Sequence, residues 1–246
     1  SKPKNLEDII KEVKNTGADM GFAFDGDGDR LGLIDNKGNV IWADRQMILY
    51  SRDILSRNPG AKIVFDVKCS SLLPKDIAEH GGEPIMSRTG HSFIKAKLKE
   101  TDAALGGEMS GHIFFKERWY GFDDALYTGA RLLEIISKTD NTCEQVFSDL
   151  PDSINTPEIN IHFDEQGQQF DAMNKLAKNV SFEDAKITTI DGVRVDYDNG
   201  WGLVRPSNTT PCLVLRFEAD NQQTLEKIQE KFRVWLESND ISTENF

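Results

Sequence analysis

The chain has 246 residues, 38% hydrophobic and 28% charged, a composition that supports a real core and about two domains of ~100–150 residues. A formal net charge of −12 argues against nucleic acid as a partner and leaves small anions to local arginines and lysines. No apolar run approaches the ~18 residues of a membrane span, residues 1–5 lack a signal peptide's apolar stretch, and Cys69, Cys143 and Cys212 are far apart without a CxxC pair, which suits a reducing cytoplasm and neither a disulfide frame nor a zinc site.

Apolar residues at Leu6, Ile9, Ile10 and Val13 have a helical period. A buried strand is expected over 18–24, a second over 30–35, and a return at 40–42 after the turn 36–39. These are too few to close a sheet of their own. A helix follows over 44–58, with Asp44 as its N-cap and Asn58-Pro59-Gly60 as its stop. Strands at 61–67, 83–87, 103–106 and 112–115 then alternate with helices at 71–80, 92–100 and 123–139. That alternation predicts a three-layer α/β domain with a mixed, mostly parallel sheet. Residues 150–157, with Pro151 and Pro157, read as a linker. Beyond it come strands at 158–163, 186–190, 192–197, 202–205 and 212–219 and helices at 168–179 and 222–238. This is an α+β domain, an antiparallel sheet with helices on one face. The polar tail 239–246 is expected to fray.

Residues 25–30 read Asp25-Gly26-Asp27-Gly28-Asp29-Arg30, directly after an apolar run. Carboxylates ~4 Å apart at an effective dielectric near ~20 repel by about 4 kcal/mol per pair, so a loop that gathers three of them calls for a cation. Oxygen-only ligands point to a hard ion such as Mg²⁺. An EF-hand counted from Asp25 fails, because Arg30 and Asn36 stand where it needs glycine and glutamate. The segment Arg205-Pro206-Ser207-Asn208-Thr209-Thr210-Pro211, between two strands, offers a guanidinium, three hydroxyls and an amide, donors that suit phosphate oxygens. An ordinary inter-strand turn explains its composition equally well. In Gly106-Gly107-Glu108-Met109-Ser110-Gly111-His112, an extended backbone would put Glu108, Ser110 and His112 on one face, where a carboxylate could hold sugar hydroxyls. Hairpins of this composition are more often structural. Lys68 and the segment Arg88 to Lys95, with His91, each follow a predicted strand, where ligands bind in open α/β sheets. Each alone reads as a solvated surface group. Together with the Asp loop they outline one basic-edged cleft.

These loops, in this order, resemble the α-D-phosphohexomutase family over most of the chain, 17–217. The Asp-Gly-Asp-Gly-Asp-Arg and Arg-Pro-Ser-Asn-Thr-Thr-Pro loops together are highly specific. The segment Gly107 to His112 is similar to the bacterial phosphomannomutase/phosphoglucomutase branch, whereas phosphoglucosamine mutases tend to carry Gln at the place of Met109. The resemblance implies a four-domain enzyme that interconverts hexose 1-phosphate and hexose 6-phosphate through a bisphosphorylated sugar. Its C-terminal domain is TBP-like. Asp25, Asp27 and Asp29 look like Mg²⁺ ligands, with Arg30 beside the phosphorylated serine. Glu108 and Ser110 would hold sugar hydroxyls. Arg205, Ser207, Asn208 and Thr209 would grip the phosphate that is not transferred. Lys68, His91 and His112 resemble family residues near proton transfer.

The family's nucleophile is a serine in a Ser-His-Asn-Pro loop, and no Ser-His-Asn-Pro occurs here. The expected organisation is a remnant of domain two at 1–39, domain three at 40–150 and domain four at 151–246. Hexose phosphates and the missing N-terminal domains of the same protein are then the partners, and the chain itself is inactive. A non-catalytic phosphosugar- or cation-binding module is the rival reading. A phosphatase using water at the Asp loop is weaker, since no nucleophile sits beside an evident base.

Overall fold

The computed structural model describes residues 3–244 and 246. They form two compact units, Ser1–Pro151 and Asp152–Phe246. The first begins with a 3-10 turn, Pro3–Leu6, and helix α1, Glu7–Thr16, followed by strands β1 (Met20–Phe24), β2 (Leu31–Asp35) and β3 (Val40–Ile41). Contrary to the expectation that these strands are too few, they build an antiparallel sheet of order β1-β2-β3. One face buries Leu6, Val13 and Ile34, with Ile9 and Ile10 packed alongside. Gly21 permits the close approach of α1, since a Cβ there would stand 2.7 Å from Val13 Cγ2. Strand β1 lies at the edge of this sheet.

The α/β block contains α2 (Ala43–Arg57), β4 (Lys62–Asp66), α3 (Leu72–Glu79), β5 (Glu83–Ser87), α4 (His91–Thr101), β6 (Leu105–Gly107), β7 (Ile113–Phe115), α5 (Ala125–Ile136) and α6 (Cys143–Ser148). Its sheet has the order β5-β4-β6-β7, parallel except for β7. Side chains alternate across it as period-two geometry requires. Ile63, Phe65, Leu105, Ile113 and Phe115 face one core with α2, α3 and α5, while Val64 and Phe114 face Ile94 and Leu98 of α4. The result is the three-layer mixed sheet anticipated from the alternation of elements.

Several local expectations need correction. Helix α2 starts at Ala43, and Asp44 is not its cap. That carboxylate is buried and accepts from the Ser70 amide at 3.0 Å, a tertiary partner that outcompetes a local cap. The helix predicted over 123–139 is shorter, opening at the N-cap Asp124, which accepts from the Tyr127 amide. Helix α6, unanticipated, follows with a capping box between Thr142 and Gln145.

The second unit comprises β8 (Ile154–Asn155), β9 (Ile159–His162), α7 (Gln168–Lys178), β10 (Lys186–Thr188), β11 (Val193–Tyr197), β12 (Gly200–Pro206), β13 (Cys212–Ala219) and α8 (Gln222–Glu237). The sheet is antiparallel, order β10-β11-β12-β13-β8, with β9 also on β13. Met173 and Leu176 of α7 and Ile228 and Phe232 of α8 share a core with Val195, Val204, Leu215 and Phe217 of the strands. Part of the expected linker is strand β8, because Ile154 and Asn155 pair with Ala219 and Glu218. The tail does not fray as its polarity suggested. Asn239, Ile241 and Thr243 are buried, and Phe246 stacks on Phe217 at 5.2 Å, while residue 245 lies outside the described residues.

Candidate functional site

The β1–β2 hairpin pairs Phe24 with Leu31, so residues 25–30 form its loop. Gly28 turns the chain at φ 74° and donates to the Asp25 carbonyl. Asp25 organises the loop from within. Its Oδ1 accepts from the Asp29 and Arg30 amides, each at 3.2 Å, and its Oδ2 accepts from Arg30 Nε. Carboxylate oxygens of Asp25, Asp27 and Asp29 come within 4.8 Å of one another. Burial pushes the Asp25 carboxyl up, but the Arg30 guanidinium and amide more than offset this and hold it at about 2. Burial drives the Asp29 carboxyl up, with the charges of Asp25 and Asp27 adding and that of His112 opposing. Asp29 Oδ1 is shut off from solvent without a hydrogen-bond partner. Three converging carboxylate oxygens fit a divalent cation of the Mg²⁺ type.

The segment 108–112 is not extended. Gly111, at φ 106°, donates to the Glu108 carbonyl at 3.0 Å and the Glu108 amide donates to the His112 carbonyl at 2.9 Å, which makes a turn between β6 and β7. The turn still gathers the expected side chains. His112 Nδ1 lies 2.8 Å from Ser110 Oγ and 3.1 Å from Glu108 Oε2. On its other side, His112 Nε2 lies 3.3 Å from Asp29 Oδ2. Burial pushes the His112 imidazole down, but Glu108, Asp29 and Asp123 together raise it above the usual histidine value. An antiparallel bridge joins Arg30 to His112, and the Leu31 amide donates to the Gly111 carbonyl at 3.3 Å. The Asp loop and the Glu108 turn are therefore one structure.

His91 opens α4, and its ring stacks on His112 with centroids 5.8 Å apart. Its Nδ1 lies 3.5 Å from Asp123 Oδ2, and Lys95 Nζ lies 3.0 Å from Asp123 Oδ1. Arg88 lies over the Phe93 ring. Lys68 follows β4, is buried, and acts through its charge on Asp66. Sequence reasoning passed over Asp66 and Asp123. Asp66 ends β4 and Asp123 precedes the N-cap Asp124, and the partners that matter are distant in sequence.

In the second unit, Arg205 ends the apolar run of β12 and is buried. Its Nε donates to Asp191 Oδ2 at 3.0 Å, while Nη2 is inaccessible and has no hydrogen-bond partner. Gly192, at φ 80°, leaves room beside it, since a Cβ there would run into the Val204 carbonyl oxygen and come within 2.6 Å of Arg205 Cα. Ser207 Oγ accepts from the Thr209 and Thr210 amides at 3.3 and 3.2 Å and lies 2.9 Å from Thr210 Oγ1. Gln169 braces the loop through the Ser207 carbonyl at 3.2 Å. Asn208 and Thr209 are exposed at its tip. Gln169 and Asp191 were not foreseen.

Among the described residues, no helix is long and apolar enough to cross a membrane. Comparison with known proteins gives consecutive matches to the family models of phosphoglucomutase/phosphomannomutase. The alpha/beta/alpha domain II matches residues 1–38, the alpha/beta/alpha domain III residues 42–154 and the C-terminal domain residues 158–234. A phosphomannomutase/phosphoglucomutase of Pseudomonas putida is 57% identical over 235 residues, covering 96% of this chain and 50% of that protein. A phosphoglucomutase of Neisseria meningitidis serogroup A is 58% identical over 240 residues, covering 97% and 52%. The crystal structure of a phosphoglucomutase/phosphomannomutase family protein from Burkholderia thailandensis superposes with a TM-score of 0.93 at 49% identity, over 100% of this chain and 52% of that one. The chain thus spans about half the length of the curated relatives it matches. With family models matched in order across the Asp loop, the Glu108 turn and the Arg205 loop, the chain belongs to the phosphoglucomutase/phosphomannomutase family.

Proposed function

We propose that this chain carries the cation, sugar and phosphate loops of a Mg²⁺-dependent mutase that interconverts the 1-phosphates and 6-phosphates of mannose and glucose through a bisphosphorylated sugar. The observation that carries the reading is the joint between two loops. The bridge from Arg30 to His112 and the 3.3 Å approach of His112 Nε2 to Asp29 set Glu108 and Ser110 directly beside the Asp cluster. A sugar hydroxyl held at the turn is therefore presented next to the cation loop.

Asp25, Asp27 and Asp29 would hold Mg²⁺, which when bound supplies charge neutralisation for phosphoryl oxygens. Arg30 adds a guanidinium on the same loop. Glu108 accepts from sugar hydroxyls, and Ser110 adds a hydroxyl. Arg205, Ser207, Asn208 and Thr209 grip the phosphate that stays. His112, touched by Glu108 and Ser110 on one nitrogen and Asp29 on the other, would hold the proton exchanged with the reacting hydroxyl. His91 and Lys68 are the further candidates. The family's Ser-His-Asn-Pro nucleophile does not occur in these 246 residues, so the chain alone binds without turning over.

Amide NMR shifts during a glucose 1-phosphate titration test the reading. Perturbations should appear at 108–112 and 205–210, and Glu108→Gln should weaken binding. Unchanged binding in Glu108→Gln would remove the sugar assignment.

A further inference from the structure

We propose that Asp66 is the positioning residue of the Glu108 carboxylate, a clamp that locks the loops on both sides of strand β4 into one cradle. The inference rests on the reading of Glu108 as the acceptor of sugar hydroxyls. It begins with sheet order. Strand β4 lies between β5 and β6, and all of these are parallel. Asp66, the last residue of β4, is in register with Ser87, the last residue of β5, and Phe65 is in register with Gly107, the last residue of β6. Asp66 therefore emerges where the chains leaving β5 and β6 begin.

The side chain of Asp66 is fully buried, and its two oxygens divide between these chains. Oδ2 accepts from Thr89 Oγ1 at 3.0 Å, in the loop after β5. Oδ1 accepts from the Met109 amide at 3.3 Å, in the turn after β6, and from Cys69 Sγ at 3.1 Å in its own loop. One residue after Thr89 and one before Met109, the Gly90 amide donates to Glu108 Oε1. The two loops are thus cross-linked twice, through Thr89–Asp66–Met109 and through Gly90–Glu108. Burial pushes the Asp66 carboxyl up and Glu108 adds to this, while Lys68 opposes it. A carboxylate this costly to bury, with no access to solvent, cannot touch a sugar itself and acts through the neighbour it holds. The hydroxyl, thiol and amide turned toward it are the donors a carboxylate needs in such a place.

The Asn variant separates geometry from charge. Its Oδ1 can still accept from Met109 and Cys69 while its amide donates to Thr89 Oγ1. The experiment uses the full 246-residue chain, amide exchange read by NMR, and glucose 1-phosphate as the probe. Asp66→Ala should speed exchange at Gly90 and Met109 by about ten-fold, leave the Val64 and Phe65 amides unchanged, and weaken probe binding by about five- to ten-fold. Asp66→Asn should stay within about two-fold of the parent on both readouts. Added to Glu108→Gln, Asp66→Ala should cost nothing further, because it works through that carboxylate. Should Asp66→Ala fail to fold, Thr89→Val removes one arm and should speed Gly90 exchange. Additive losses in the double variant, unchanged exchange at Gly90 and Met109, or an Asn variant as impaired as the Ala variant would overturn the proposal. If Glu108→Gln leaves probe binding intact while Asp66→Ala still loosens Gly90, the clamp stands and the sugar assignment of Glu108 fails.

Discussion

Replacing Arg205 by Ala tests the phosphate grip most directly. The side chain is buried, Nε is engaged with Asp191 Oδ2 at 3.0 Å, and Nη2 is enclosed without a hydrogen-bond partner. A charge-assisted bond from a guanidinium to a phosphate oxygen contributes roughly 1.5–3 kcal/mol net, or about 10- to 150-fold in affinity. Part of the gross binding is offset by immobilising the sugar phosphate, so the parent chain should bind glucose 1-phosphate between about millimolar and high micromolar. Arg205→Ala should then move the dissociation constant to about tens of millimolar or beyond. Arg205→Lys keeps the charge but loses the planar fork and the Asp191 bond, and should fall between the two. Amide NMR titration with glucose 1-phosphate and, separately, inorganic phosphate makes the contact specific. Arg205→Ala should weaken both ligands, whereas Glu108→Gln should weaken only the sugar phosphate. A folded Arg205→Ala chain that binds glucose 1-phosphate within about two-fold of the parent would refute the reasoning.

Other outcomes follow from the same structure. Titration calorimetry should find weak Mg²⁺ binding at the Asp loop, lost in Asp27→Asn, since only three carboxylates and water are offered; sub-micromolar affinity would contradict this. A coupled assay with Mg²⁺ and hexose bisphosphate should detect no turnover of glucose 1-phosphate or mannose 1-phosphate by this chain; turnover abolished by Asp27→Asn would show that a nucleophile has been overlooked. Arg131 is buried, with Nη2 3.1 Å from Asp53 and Nη1 2.8 Å from Glu117, so Arg131→Ala should cost ~3–5 kcal/mol of first-unit stability, and an unchanged thermal midpoint would rule this out. Burial raises the Asp53 carboxyl, but Arg57 and Arg131 outweigh that and lower it. A folded pKa below the unfolded value gives stability that is complete above the unfolded value, about 4, and is lost as pH falls through the folded one. The stability gap between the parent and Asp53→Asn should therefore close only under acid; a gap independent of pH from 7 to 3 would refute the ion-pair account.

What the sequence revealed follows the reach of each interaction. The Asp cluster was legible because its three carboxylates lie within five consecutive residues, where spacing alone brings them together. Strands β4 and β5 were legible because short apolar runs stood between clear stop signals. Glu108, Ser110 and His112 come together as expected but for another reason, since a Gly111 turn rather than an extended face gathers them. Asp191 was hidden because it lies fourteen residues from Arg205 and only the β11–β12 pairing brings them together. Asp66 and Asp123 were hidden for the same cause, the former's partners Thr89 and Met109 lying in the loops after β5 and β6 and the latter's on α4. Asp44 misled because a buried tertiary acceptor and an N-cap look alike in a sequence. Helix α6 alone had an unused local signal, the Thr142 and Gln145 capping pair.

The pairing of Arg30 with Asp25 has a thermodynamic consequence. The guanidinium already serves as an internal counter-ion for the carboxylate that a divalent ion would use. Cation entry would therefore be an exchange, its apparent affinity reduced by the free energy of displacing the arginine. Anything that draws that guanidinium away, such as a phosphate oxygen, strengthens cation binding by some factor. Reciprocity then requires that the cation strengthen phosphate binding by the same factor, with no change of shape beyond one side chain changing partners.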